Sequence, residues 1–235
     1  MLAASYRPIG YAVVVAGFLA LAYGLTMLFA VLDFFSLDGA PPAQVAAFLQ
    51  ANSGPLDLAL ASALVGYLLA VPMMLIITEA TFRGQTDRPL KRHVALGLVW
   101  ASLPLRPLWW AALITLMPSL LAVSAPGADP ATAAATFVGY QMLGTVLNTA
   151  TEDVAVNILG GGWFVLVGLS MATTRTLPPI LGWIGVAIGV CYLVSAAELF
   201  GLSFGNGGEI IPLVASVSGP FWLGAAGLLA VRKAM

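Results

Sequence analysis

Charge is what this sequence has least of. Nine Lys and Arg, ten Asp and Glu and one His in 235 residues make the chain only 8% charged, against roughly 25% in soluble domains. That shortage excludes an ordinary soluble domain, and nothing in the chain points to nucleic acid. The one cysteine, Cys191, sits inside an apolar run, which excludes an intramolecular disulfide and a cysteine metal cluster and leaves the redox compartment unread. The one histidine, His93, stands beside Lys91 and Arg92 with no second histidine to share a metal, and reads as interfacial. No Ser/His/Asp set, HExxH motif or hydrolase-like carboxylate pair is present, so no catalytic residue, metal or cofactor is assigned.

Apolar residues fill the space that charge leaves, at 60% of the chain. Runs of about 20 apolar residues suffice to cross roughly 30 Å of hydrocarbon. The fold class is therefore all-α, a polytopic membrane helical bundle with the lipid bilayer as its first partner. No polar tract is long enough for a separate soluble module, so residues 1–235 form one transmembrane domain. Spans are predicted at about 9–31, 55–77, 94–118, 154–172, 179–199 and 210–231. The first exceeds the usual 7 to 15 residues of a signal-peptide core and is read as a retained helix.

Two stretches, 33–54 and 124–153, are read as amphipathic cap segments. A short surface helix begins at Pro41 and Pro42, with Val45, Phe48 and Leu49 on its apolar side. In the second stretch Gln141, Thr145, Asn148 and Glu152 recur at helical spacing, with Val138, Met142 and Val146 on another face. If residues 131–153 do not cross, Arg7, Arg83, Arg88, Lys91, Arg92, Arg175, Arg232 and Lys233 all fall on one side. Cytoplasmic loops are enriched in Lys and Arg. The predicted topology is six spans, both termini cytoplasmic and both cap segments exoplasmic, where they either roof a site that opens outward with Arg106 at its floor or only seal the bundle against headgroups.

Arg106 is the one basic residue this topology leaves over. An arginine at the centre of a spanning helix costs about 2.5–3.5 kcal/mol and is a functional hypothesis by default. Residues three and four apart share a helix face, which makes Ser102, Trp109 and Trp110 its neighbours. An indole over a guanidinium contributes about 2 kcal/mol in a dry setting. Pro104 and Pro107 also free backbone carbonyls that the guanidinium can satisfy. For a partner further away, Arg106 lies about 18 Å and Glu198 about 28 Å from the inner starts of their helices, a gap that long side chains can largely close. Glu198 and Glu152 are the candidate partners, and Glu79 is expected near Arg83.

Gly160, Gly161 and Gly162 lack the lysine of a phosphate loop and read as close packing or as an interruption of the helix. Gly182, Gly185, Gly189, Gly224 and Gly227 read as packing glycines. The run GGGWFVLVGLSMATTRTLPPILGWIGVAIGVCYL, residues 160–193, resembles the bacterial membrane proteins grouped as domain of unknown function 4386. The likeness rests on a basic link at Arg175, then Leu177, Pro178, Leu181 and Gly182, and on an arginine in the third helix. It implies a multi-pass helical protein of a bacterial cytoplasmic membrane and brings no activity with it.

Three function classes follow. The first is a protein that binds or translocates a small amphiphile or anion near Arg106, with Trp109, Trp110, Asn148, Glu152 and Glu198 as ligand-binding residues. The second is a structural or regulatory subunit, homo-oligomeric or with a partner subunit, in which Arg106 locks the packing. The third is an intramembrane enzyme using Glu152 or Glu198 as acid or base.

Overall fold

The computed structural model describes residues 6–37, 40, 42–83, 85, 89–123, 125, 127–202 and 210–234, and the statements below concern those residues. The described elements are all helical. They are α1 (Arg7–Thr26, prolonged by a π-helical turn Met27–Val31), α2 (Pro42–Phe82), α3 (Pro89–Ser102), α4 (Leu108–Val123), α5 (Pro130–Asn148), α6 (Gly161–Thr174), α7 (Pro179–Ser195) and α8 (Ile210–Ala234). A π-helical stretch, Thr149–Gly160, joins α5 to α6 without a break. Four helices are long and apolar enough to cross a membrane: Arg7–Val31, Gln44–Phe82, Pro130–Thr174 and Ile211–Lys233. Leu108–Val123 and Pro179–Ser195 are shorter apolar helices.

Three boundaries differ from the sequence reading. The predicted surface helix and second span are one helix of 41 residues that runs through Pro55 and Pro72. Its cohesion comes from a buried seam at Leu49, Leu56, Leu60, Ala63, Tyr67, Ala70, Met74 and Ile77, whose steps of three, four and seven keep one face inward past both prolines. Likewise α5, expected as a separate cap segment, is continuous with the fourth span. The predicted third span is instead two helices, because Pro104 and Pro107 cannot donate to the helical ladder and the chain turns between Ser102 and Leu108.

Glycines set how closely the helices approach. A Cβ on Gly182 would lie 2.5 Å from the backbone nitrogen of Ala172, and one on Gly161 would lie 3.0 Å from the carbonyl oxygen of Gly189, so α6 and α7 meet backbone to backbone. Gly24 meets the backbone of Ala63 in the same way between α1 and α2, while Gly224 and Gly227 receive Phe18 and Val14. The Gly160–Gly162 run is thus intact helix that serves packing. Outer faces are apolar too: Leu19, Leu58, Val65, Val138, Met142, Val146, Ile180 and Trp183 are exposed. A helix apolar all round belongs to a large core or a membrane span.

One end of the bundle is tied by basic residues. Arg92 pairs with Glu79 at 2.7 Å, Arg83 Nη1 donates to the Lys233 carbonyl, Lys233 Nζ donates to the Thr176 carbonyl, and Thr176 Oγ1 donates to the Thr81 carbonyl. Glu79 therefore holds Arg92 rather than Arg83, since Arg92 on α3 faces the last turn of α2. Arg175, with φ of 56°, takes the left-handed position that ends α6.

At the start of α5, Asp129 caps the helix by accepting from the Thr132 backbone N–H at 2.8 Å and hydroxyl at 2.7 Å. The Thr132 side chain, then its backbone, holds this carboxyl below the usual carboxylate range. A lowered native value means the cap is complete above the ordinary carboxylate range and is lost as pH falls through the lowered value. Amide exchange at Thr132, taken relative to its intrinsic rate, should lose protection on acidification, and Asp129→Asn should abolish that dependence. For the glycine seam, Gly182→Ala should lower unfolding free energy by about 1–3 kcal/mol, whereas Gly97→Ala, with open space beside it, should be close to neutral in the same thermal unfolding assay.

Candidate functional site

The site is built on the broken helix. After Ser102 the backbone turns, with the Leu105 and Arg106 N–H groups donating to the Ser102 carbonyl at 3.2 and 3.0 Å. In a continuous helix the Trp109 N–H would bond the Leu105 carbonyl four residues back. Here the Thr151 hydroxyl sits between them, accepting from Trp109 N–H at 3.1 Å and donating to the Leu105 carbonyl at 2.9 Å. A side chain inserted into the ladder is a recognised cause of a sharp bend. Thr151 is fully buried and comes from the π-helical stretch, so two irregular segments complete each other.

Arg106 lies in this turn and is 6% exposed. Its Nε donates to Ser102 Oγ at 3.1 Å, and Ser102 Oγ donates in turn to the Val99 carbonyl at 2.8 Å. Nη2 contacts Met74 Sδ at 3.5 Å. A Cβ on Gly160 would lie 3.2 Å from Nη2, so that glycine makes room for the guanidinium. The electrostatic neighbours of Arg106 are Glu152 and the phenols of Tyr67 and Tyr192. Among the described residues no carboxylate comes within 4.0 Å of the guanidinium. Instead the Glu152 carboxylate accepts from Tyr67 OH, at 2.8 and 3.1 Å to its two oxygens. The Glu152 carboxyl is thus hydrogen-bonded to a phenol that also neighbours Arg106, and makes no direct pair with the guanidinium.

Two cavities flank the turn. On the Arg106 side is a space of about 40 Å³, whose polar wall is Arg106, Tyr67, Tyr192 and Ser216. On the other side is a cavity of about 470 Å³ between the first turns of α2, the length of α4 and the inner face of α5. Phe34, Leu49, Trp109, Met117, Leu120, Phe137 and Tyr140 give it apolar walls, and Gln141, Thr145, Asn148 and Thr149 give it a polar edge. Among the described residues none that lines it is charged. The polar stripe of α5 therefore faces this cavity while Val138, Met142 and Val146 point out of the bundle. A Cβ on Gly144 would lie 3.1 Å from Trp109 Cη2, so the glycine admits the indole. The Trp109 Nε1–H is buried and has no acceptor among the described residues.

No protein-family model, curated protein or solved structure matches this chain. The predicted site residues divide among different places. Trp109 and Asn148 line the outer cavity, and Arg106 lines the small one. Neither indole stacks on the guanidinium: Trp110 packs edge-on to Tyr67, with ring centroids 5.2 Å apart, and Trp109 lies 6.3 Å from Tyr140. The expected stacking fails because the helix breaks before the tryptophans, so residues three and four beyond Arg106 no longer share its face. Glu152 is held by Tyr67. The Glu198 side chain lies outside the described residues.

Tyr67, Thr151 and Tyr192 were not singled out in the sequence, although the two tyrosines are the polar interruptions of long apolar runs and Thr151 abuts Glu152. Thr151→Val should leave the Trp109 N–H unpaired, at about 1–3 kcal/mol for a buried group, while the Leu105 carbonyl keeps the Leu108 N–H at 3.2 Å. Thr151→Ser should keep most of that stability. Thermal unfolding of the two variants in one detergent checks the difference.

Proposed function

We propose that this chain is a six-pass membrane protein of a bacterial cytoplasmic membrane that binds a small neutral amphiphile in the outer cavity, with Arg106 acting as a packing lock beside the site. The observation that carries the reading is the cavity of about 470 Å³ with aromatic and aliphatic walls, one polar edge and, among the described residues, no charged lining residue. Small-molecule sites are commonly about 300–1,000 Å³ and are built this way. The uncharged lining among the described residues favours a neutral head group, and the indole Nε1–H of Trp109, a wall residue, is a buried donor left over for it.

The topology rests on three supports. Counting α3 and α4 as one interrupted crossing brings the four long helices and α7 to six. The contacts of Arg83, Arg92 and Lys233 gather these basic residues at one end, as a cytoplasmic face requires. At 1.5 Å per residue, α2 is about 60 Å long and the helix from Pro130 to Thr174 about 65 Å, twice the hydrocarbon thickness, so their outer thirds serve as the exoplasmic cap. The likeness of residues 160–193 to the domain of unknown function 4386 group agrees with this location.

Native mass spectrometry of delipidated protein titrated with a monoacylglycerol tests the site. The wild type should retain one ligand. Gly144→Leu, which fills the space beside Trp109, should lose it, and Gly97→Leu, on an open helix face, should not. Equal retention by Gly144→Leu and the wild type would count against the cavity.

A further inference from the structure

The small cavity on the other side of the turn has a different chemistry. A guanidinium carries five N–H donors. Only Nε and one donor of Nη2 find protein partners, namely Ser102 Oγ and the weak acceptor Met74 Sδ. The remaining donors have no protein acceptor among the described residues, although Arg106 is more than nine-tenths buried. The same wall carries the hydroxyls of Tyr192 and Ser216, neither of which makes a protein hydrogen bond among the described residues. Tyr67, also in the wall, is turned to Glu152. The rest is apolar, including Leu21, Val156, Phe164 and Leu223. The space thus offers several donors and one positive charge, and no carboxylate among the described residues lines it.

Its volume, about 40 Å³, has room for about three water molecules on the measure in which one needs about 10–15 Å³. That excludes an acyl chain and admits an ion of halide size. Leu25, Ser216 and Pro220 also border a groove of about 240 Å³ between α1 and α8, which places the space behind one wall of a surface opening.

We propose that this cavity binds one halide-sized monovalent anion through Arg106, Tyr192 and Ser216, and that anion uptake is linked to protonation of Glu152. The groups facing Glu152 are Tyr67 from α2, Arg106 from the turn, Tyr192 from α7 and Asp153 on its own helix. Arg106 is the positive one among them. With Glu152 ionised, the guanidinium already has a counter-charge, and a second anion would leave the centre net negative in apolar surroundings, which is unfavourable. A proton on Glu152 removes that excess. By reciprocity, anion binding favours the protonated carboxyl to the same degree.

The test is thermal unfolding of the full chain in detergent, titrated with sodium bromide against sodium gluconate at constant ionic strength and at several pH values. Wild-type protein should show a saturable rise in Tm in bromide only, with a midpoint that moves to lower concentration as pH falls. Tyr192→Phe, which keeps the ring and removes one hydroxyl donor, should weaken bromide at least about tenfold, the loss expected for a hydrogen bond to a charged group. Glu152→Gln should bind bromide with a midpoint independent of pH. A bromide effect that is absent, non-saturable or unchanged in Tyr192→Phe would overturn the site. PH dependence that survives in Glu152→Gln would overturn the linkage. Because both variants preserve side-chain volume, the result does not depend on whether Arg106→Gln folds.

Discussion

The burial of Arg106 without a direct ion pair is the constraint on which the surrounding structure depends. A guanidinium among apolar helices needs acceptors, space and a counter-charge, and these come from α3 and the π-helical stretch. Ser102, the last residue of α3, supplies the acceptor for Nε. Gly160, the last residue of the π-helical stretch, supplies the space. Glu152, at the start of that stretch, supplies the opposite charge at one remove, through Tyr67 of α2. The broken helix follows from the same need, because the turn at Leu103–Pro107 frees the arginine from a helix face and aims it at α2 and α6. Bridging the break is then the task of Thr151, whose hydroxyl accepts from the Trp109 N–H and donates to the Leu105 carbonyl, which also accepts from the Leu108 N–H.

This arrangement places two unlike cavities back to back. Trp109 takes part in both environments: its ring floors the outer cavity, while its backbone N–H is held by Thr151, next to Glu152. The π-helical stretch suits this position. Such segments place side chains out of the usual helical register and concentrate at functional sites, and here the stretch presents Thr151 to the break and Gly160 to the guanidinium.

Much of the frame was legible in the sequence. Helical runs, packing glycines, the polar stripe at Gln141, Thr145 and Asn148, and the oddity of Arg106 are all local patterns. What local pattern did not show is where tertiary packing overrode a boundary signal. Pro55 reads as a helix start, yet the seam from Leu49 to Ile77 carries α2 through it. Pro104 and Pro107 read as freeing carbonyls within one span, but two prolines three residues apart stop the helix, which moves Trp109 and Trp110 off the arginine's face. Thr151 could not be found from spacing at all, since its role exists only where the π-helical stretch meets the turn. Glu79 was assigned to Arg83 by nearness in sequence, and the fold gives it Arg92 across the α2–α3 corner.

The central claim is that Arg106 and Glu152 act as one charge unit across Tyr67. A double-mutant cycle with Arg106→Gln and Glu152→Gln, read as unfolding free energy in detergent, measures it most directly. Each single change strands the other charge, so the double variant should be less destabilised than the sum of the two, by a coupling of about 0.5–3 kcal/mol. Additive effects, within about 0.3–0.5 kcal/mol, would contradict the account and leave the two groups as independent features of the bundle.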